Sequence, residues 1–201
     1  MQQYIHLNET KNGNLIFDTP GEYVVYFHNY SGKITCRITA PEVSVELIGL
    51  YEGNATNAFH VETIQHHCAP NSSSNLLIKG VFEDASTFHY HGLIRIEKEA
   101  QKSRAYQKNQ NLVLSPKVFV ESKPDLEILA NDVFCTHGSS TGRLNESQVR
   151  YIESRGIPET EAKNLMIEGF KEEILEKVRK YHRHSGPFRH SGLPGIVVKK
   201  E

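Results

Sequence analysis

Between Lys33 and Phe134 the sequence repeats one kind of unit, a short β-prone run closed by a polar turn, with no helical apolar period anywhere in the stretch. The runs are Lys33–Thr39, Val43–Leu50, Phe59–Gln65, Asn75–Val81, Phe88–Ile96, Asn111–Leu114, Lys117–Glu121 and Leu126–Phe134. An earlier run, Tyr23-Val24-Val25-Tyr26-Phe27, sits between Pro20-Gly21 and a turn over Asn29 to Gly32. Units of about six residues at this spacing predict an all-β domain. Spacing alone leaves sandwich, barrel and β-helix open. The two-residue hairpin signals Asn-Gly and Asp-Gly are nearly absent, and only Asn12-Gly13 fits, ahead of the main series. Parallel coils do not need them, although the apolar face of a terminal coil does need a cap.

The residues that follow are helical in pattern. Asn145 and Gln148 have the spacing of a capping box, a short helix is expected to run to about Ser154, and Gly156 fits its stop. Pro158 suits the first turn of a second helix, with Glu159 and Glu161 near its positive end. Ala162, Leu165, Met166, Gly169, Phe170, Ile174, Val178 and Tyr181 recur at spacings of three and four, one apolar stripe expected to bury against the last coil. From His184 onward the chain is rich in Gly, Pro and Ser and reads as a flexible tail. The expected organisation is therefore a β core over 1–142, a helical segment over 143–183 and a tail over 184–201.

Charge narrows the function. Lys and Arg total 23 against 24 Asp and Glu, a net charge of -1, so nothing favours a nucleic-acid or anionic-membrane surface. No apolar run approaches the roughly 18 residues of a membrane span. The start, MQQYIHLNETKNGN, has neither the basic nor the apolar region of a signal peptide, so a cytoplasmic protein is expected. The 3 cysteines, Cys36, Cys68 and Cys135, lie far apart, and reduced thiols are the default.

The junction of the β and α parts carries the most pointed chemistry. The run Leu126–Phe134 is expected to end in a Cys-Thr-His-Gly corner, after which Ser139 to Gly142 lead the chain out of the sheet. Two apart on a strand, Cys135 and His137 project from one face, with Thr136 on the other. A thiol and an imidazole side by side are a soft metal-ligand pair. Unaided, that pattern is better explained by Cys135 packing as a small hydrophobe and His137 capping a turn. His66-His67-Cys68 is not a metal site, because adjacent strand residues face opposite ways. His89 and His91 with Glu97 downstream have some likeness to the metal motif of cupins, giving an alternative reading as a small metal-dependent β-fold enzyme. Its spacing to Glu97 is too long, and the glycine frame of that motif is missing. His182, His184 and His190 belong to a solvated basic end of the helix and tail.

Three segments, AQKSRAYQKNQNLVLS from Ala100, PDLEILANDVFCTHGSSTGRLNESQVRYIESRGI from Pro124 and, more weakly, HCAPNSSSNLLIKG from His67, resemble the core of the SufB/SufD family of iron-sulfur cluster assembly proteins. The likeness runs in order over roughly residues 40–180. It implies a mainly β fold, a right-handed parallel β-helix followed by a small C-terminal helical segment. Cys-Thr-His-Gly stands where SufD proteins have Cys-Ser-His-Gly and SufB proteins have Glu-His-Glu, so the chain resembles SufD. No cysteine occurs around Lys117 to Phe119, where SufB supplies one, and the sulfur-accepting role of SufB does not carry over. The chain starts without the long N-terminal extension of most members, which implies a short form.

The resemblance further implies a non-enzymatic scaffold of the SUF system. Its β-helix would pair with a SufB-like partner or a second copy, with His137 at the junction, and a transient iron-sulfur cluster would form near His137 and Cys135. In the family the helical segment docks SufC, an ABC-type ATPase, and Tyr151, Arg155, Ile157, Met166 and Phe170 are the residues expected to do so here. No G-x-x-x-x-G-K-[ST] loop occurs in the sequence, so the ATPase is another chain. A cluster takes about four ligands and one coil offers two, which also points to dimerisation.

Overall fold

A computed structural model of the chain describes residues 2–10 and 13–184. Eleven strands are present among them: β1 Gln2–His6, β2 Asn14–Phe17, β3 Gly21–His28, β4 Gly32–Ile38, β5 Val43–Gly53, β6 Ala58–His67, β7 Ser73–Phe82, β8 Thr87–Ile96, β9 Arg104–Val113, β10 Phe119–Ile128 and β11 Phe134–Gly142. Three helices complete the order: α1 Leu7–Thr10 between β1 and β2, then α2 Glu146–Glu153 and α3 Glu159–His184.

Odd-numbered strands form one sheet, β1-β3-β5-β7-β9-β11, and even-numbered strands the other, β10-β8-β6-β4-β2. Neighbouring strands pair in parallel throughout. The chain therefore climbs as a β-solenoid, crossing between sheets once per strand, and the choice left open by spacing is resolved in favour of the coil. Ser44 lies beside Ser73, and Ala58 beside Thr87, each pair 29 positions apart. Corner geometry repeats with the coil: Glu42, Asn71 and Lys102 adopt φ of 57°, 55° and 60°, and Ala55 and Asp84 adopt 49° and 55°. A left-handed residue at each of these corners turns the chain from one sheet toward the other.

Alternation decides what fills the solenoid. In β6 the inward residues Phe59, Val61, Thr63, Gln65 and His67 are buried, while His60, Glu62, Ile64 and His66 lie on the outer face. Stacked coils bury Phe17, Phe27, Tyr51, Phe82 and Phe88 in one apolar column. Tyr51 and Phe88 meet at 4.7 Å between ring centroids, and Phe82 and Phe88 at 5.0 Å. Glycines admit two of these rings: a Cβ on Gly49 would come within 2.3 Å of Phe27, and one on Gly80 within 2.3 Å of Phe82.

Several sequence expectations are corrected. Leu126–Phe134 is not a strand; it spans the end of β10, a connection and the first residue of β11. Cys-Thr-His-Gly is not a corner, since Cys135 to Gly138 lie inside β11 and Ser139 to Gly142 continue it. Most of β9 was not expected at all. The helical segment does not cap the last coil. Instead α3 runs back across the outer face of the odd-numbered sheet, where Ile174 is buried with Val24, Ile48, Leu50 and Leu77. Lys79 Nζ donates to Glu173 at 2.7 Å and to the Phe170 carbonyl at 2.8 Å, and Lys171 bonds Glu52 at 2.9 Å. Lys177 pairs with Glu46. Leu165, assigned to the buried stripe, is 50% exposed. Asn145 is the N-cap of α2, its side chain accepting from the Ser147 N–H at 3.0 Å. His184 is the last residue of α3, and residues 185–201 of the expected tail, His190 with them, lie outside the described residues.

Candidate functional site

Because α3 lies along the side, no described helix covers the far end of the solenoid. Among the described residues the backbone of β10 pairs with β8 alone and that of β11 with β9 alone, so both strands present a free edge. Around them Phe134 is 66% exposed, Phe119 50% and Leu129 49%.

Register shows which way the β11 side chains face. Cys135 lies beside Ala105, His137 beside Gln107, Ser139 beside Asn109 and Thr141 beside Asn111. Those β9 residues are all buried and inward, so Cys135, His137, Ser139 and Thr141 face the mouth of the solenoid. The Ser139 hydroxyl confirms it by donating across the mouth to Ser122 of β10 at 2.9 Å. Cys135 is half-buried beside Ala105, Ala130 and Val133, and that burial pushes its thiol up to about 11. The His137 side chain is exposed, and its ring is bonded to no other described residue. Among the described residues no three His, Cys, Asp or Glu side chains converge as a metal site. The mouth therefore presents one thiol and one imidazole on the same face of β11.

The layer beneath is polar. Following neighbours along the odd sheet, Val25, Leu47 and Leu76 give way to Gln107 and then His137. Gly49 and Ile78 likewise give way to Asn109, and Tyr51 and Gly80 to Asn111. Asn111 donates to Asn109 at 2.7 Å. Sequence reading missed this layer; its signal was a strand with amides at every second position, which an apolar pattern search passes over.

The other candidates separate as follows. His67 is fully buried and bonds Ser72 and Ser74 at 2.7 Å each, and burial lowers its ring to about 4. His66 points the other way, to Glu97 at 2.7 Å. That contact undoes the cupin-like alternative, because Glu97 is taken by His66 and Arg95, while His89 bonds Glu121 at 3.2 Å and His91 bonds Asp125 at 2.7 Å. The three do not converge. His182 and His184 fall in the last turn of α3.

The expected docking residues lie on two different faces. Tyr151 is exposed on α2, with the Arg155 guanidinium over its ring at 5.1 Å. Ile157 and Met166 are half-buried. Phe170 is half-buried with Lys79 over its ring at 4.7 Å, so it serves the contact between α3 and β7. Between α2, the start of α3 and the turns after β7 and β9 runs a groove of about 820 Å³ lined by Glu83, Leu114, Arg143, Val149, Arg150 and Lys163.

The fold is a parallel β-solenoid whose last strand, paired on one edge alone among the described residues, carries Cys135 and His137 on its mouth-facing side. Residues 28–170, well over half of the chain, match the family described as SUF system FeS cluster assembly, SufBD core domain, and the protein belongs to that family. It is 34% identical over 151 residues to an iron-sulfur cluster assembly SufBD family protein of Mycobacterium leprae, covering 71% of this chain and 38% of that one. It is 36% identical over 107 residues to the iron-sulfur cluster assembly protein SufD of Escherichia coli, covering 53% of this chain and 25% of that one. With SufD of Bacillus subtilis it shares 34% identity over 126 residues, 63% of this chain and 28% of that one. The matched region thus spans well under half the length of these relatives. No helix among the described residues is long and apolar enough to cross a membrane.

Proposed function

We propose that this chain is a non-enzymatic, cytoplasmic scaffold component of SUF iron-sulfur cluster assembly, of the SufD kind. In this reading the open end pairs with a SufB-like partner or a second copy, and a transient cluster, the cargo of the system, is held at the junction by His137 and Cys135. The observation that carries the reading is the placement of both side chains on the mouth-facing side of β11, a strand with one edge unpaired. A cluster takes about four ligands, so a two-ligand mouth calls for a second contributor. Burial raises the Cys135 thiol above its ordinary range, to about 11, so iron binding would displace a proton from it. The relatives named SufD support the SUF assignment.

In the same reading, α2 and the start of α3 dock an ABC-type ATPase of the SufC kind. Tyr151, Arg155, Ile157 and Met166 border the surface used, and Phe170 fixes the helix that carries it.

The test is anaerobic reconstitution with iron and sulfide, read by absorbance and sizing, on the wild type and the Cys135→Ser, His137→Ala double variant. A cluster spectrum that accompanies a dimer and is lost in the double variant supports the reading. A wild-type chain that takes up no cluster, alone or with a SufB-like partner, overturns it.

A further inference from the structure

Three inward amides underlie the mouth, and they are not equivalent. Asn109 and Asn111 bond each other. Gln107, 1% exposed, has neither its amide nitrogen nor its oxygen bonded to any described residue, and Gln65, fully buried on the facing sheet, has an unbonded amide oxygen. A buried amide left unpaired is costly, and the apolar residues of the preceding coils show that this row accepts Leu. Gln107 crosses the solenoid to reach Gly92: a Cβ there would lie 2.3 Å from its nitrogen and 2.2 Å from the Tyr90 hydroxyl. Its strand neighbour on the other side, one step nearer the open end along the same inward row, is His137.

We propose that Gln107 and Gln65 hold a small guest able both to donate and to accept hydrogen bonds, a water molecule in the metal-free chain, and that through it Gln107 orients the ring of His137. Gln107 is then a positioning residue. A buried water needs two to four polar partners, and the Gln107 amide, the Gln65 oxygen and a His137 ring nitrogen supply them. The arrangement selects which ring nitrogen of His137 carries the proton and which is left to bind metal, as outer partners of metal-binding histidines do. Gly92 makes room for it. This deepens the assignment of the mouth as the assembly site, and its importance rests on that reading.

The experiment is NMR on the metal-free, ¹⁵N-labelled full chain. The wild type is expected to show long-lived water cross-peaks on the Gln107 side-chain amide, and His137 ring nitrogens dominated by one tautomer. In Gln107→Met, and independently in Gly92→Ala, whose methyl displaces the amide, the His137 tautomer ratio is expected to shift about fivefold. A change in packing alone does not move that ratio. The absence of a water contact at Gln107, or a His137 signature unchanged in whichever variants fold, overturns the proposal. Because no cluster is involved, a chain that fails reconstitution leaves this result standing, and a chain that reconstitutes with His137 unmoved sinks this proposal alone.

Discussion

His67 is a base held as a neutral ring. Burial lowers its pKa from the ordinary 6.5 to about 4, so the unfolded chain takes up a proton over that window while the folded chain does not. Its contribution is complete above pH 6.5 and is lost as pH falls toward 4, about 3 kcal/mol in all. The urea midpoint of the wild type is expected to fall between pH 7 and 4.5 by more than that of His67→Gln, which cannot titrate. Lys102 carries a different residue-scale cost. It holds φ at 60° without being glycine, a conformation that costs an L-residue roughly 1–2 kcal/mol. Lys102→Gly is expected to raise stability by up to about 1 kcal/mol once the greater freedom of unfolded glycine is subtracted. Chemical denaturation checks it, and a destabilised Lys102→Gly contradicts the account.

Among the elements, α3 is a strap. Ile174 is its buried apolar anchor, and Lys79, 6% exposed, is its buried charge. Ile174→Ala is expected to cost about 2–4 kcal/mol. Lys79→Met, which removes the charge and keeps the volume, is expected to be near neutral, whereas Glu173→Ala, which strands the ammonium, costs about 1–3 kcal/mol. Urea unfolding of the three variants decides it; equal effects of Lys79→Met and Glu173→Ala count against the assignment. The helices were legible in sequence because capping and periodicity are local: Asn145 caps α2, and Ala162 and Ile174 are buried. Where α3 packs was not legible, since an apolar stripe fits any apolar face. β9 escaped notice because its inward positions, Gln107, Asn109 and Asn111, are as polar as its outward ones. Leu126–Phe134 misled for the opposite reason, since at an open end apolar residues are tolerated on both faces and in the connection between strands. The shared face of Cys135 and His137 followed from the two-residue period alone; that this face is the mouth depended on the coil register, which no single strand encodes.

For the whole molecule, the open end joins free backbone edges to exposed Phe119, Leu129 and Phe134. An edge of this kind pairs with another chain unless charge or proline blunts it. The isolated chain is expected to elute as a concentration-dependent dimer, and Phe134→Glu to shift it to monomer without loss of β signal in circular dichroism. A wild-type chain that stays monomeric at high concentration, where no partner is supplied, counts against self-pairing. Each interior coil, moreover, has a neighbour above and below, and β11 has one. In such a stack, stability is close to a sum of nearest-neighbour terms, and terminal units contribute least. The solenoid therefore behaves as a zipper that loosens from its ends, and one of those ends carries the thiol and the imidazole. Fraying from the last coil disassembles the ligand pair before the rest of the molecule loosens, and a chain that docks on the edge halts the fraying. In the function proposed above, readiness to receive cargo and the presence of a partner become the same equilibrium.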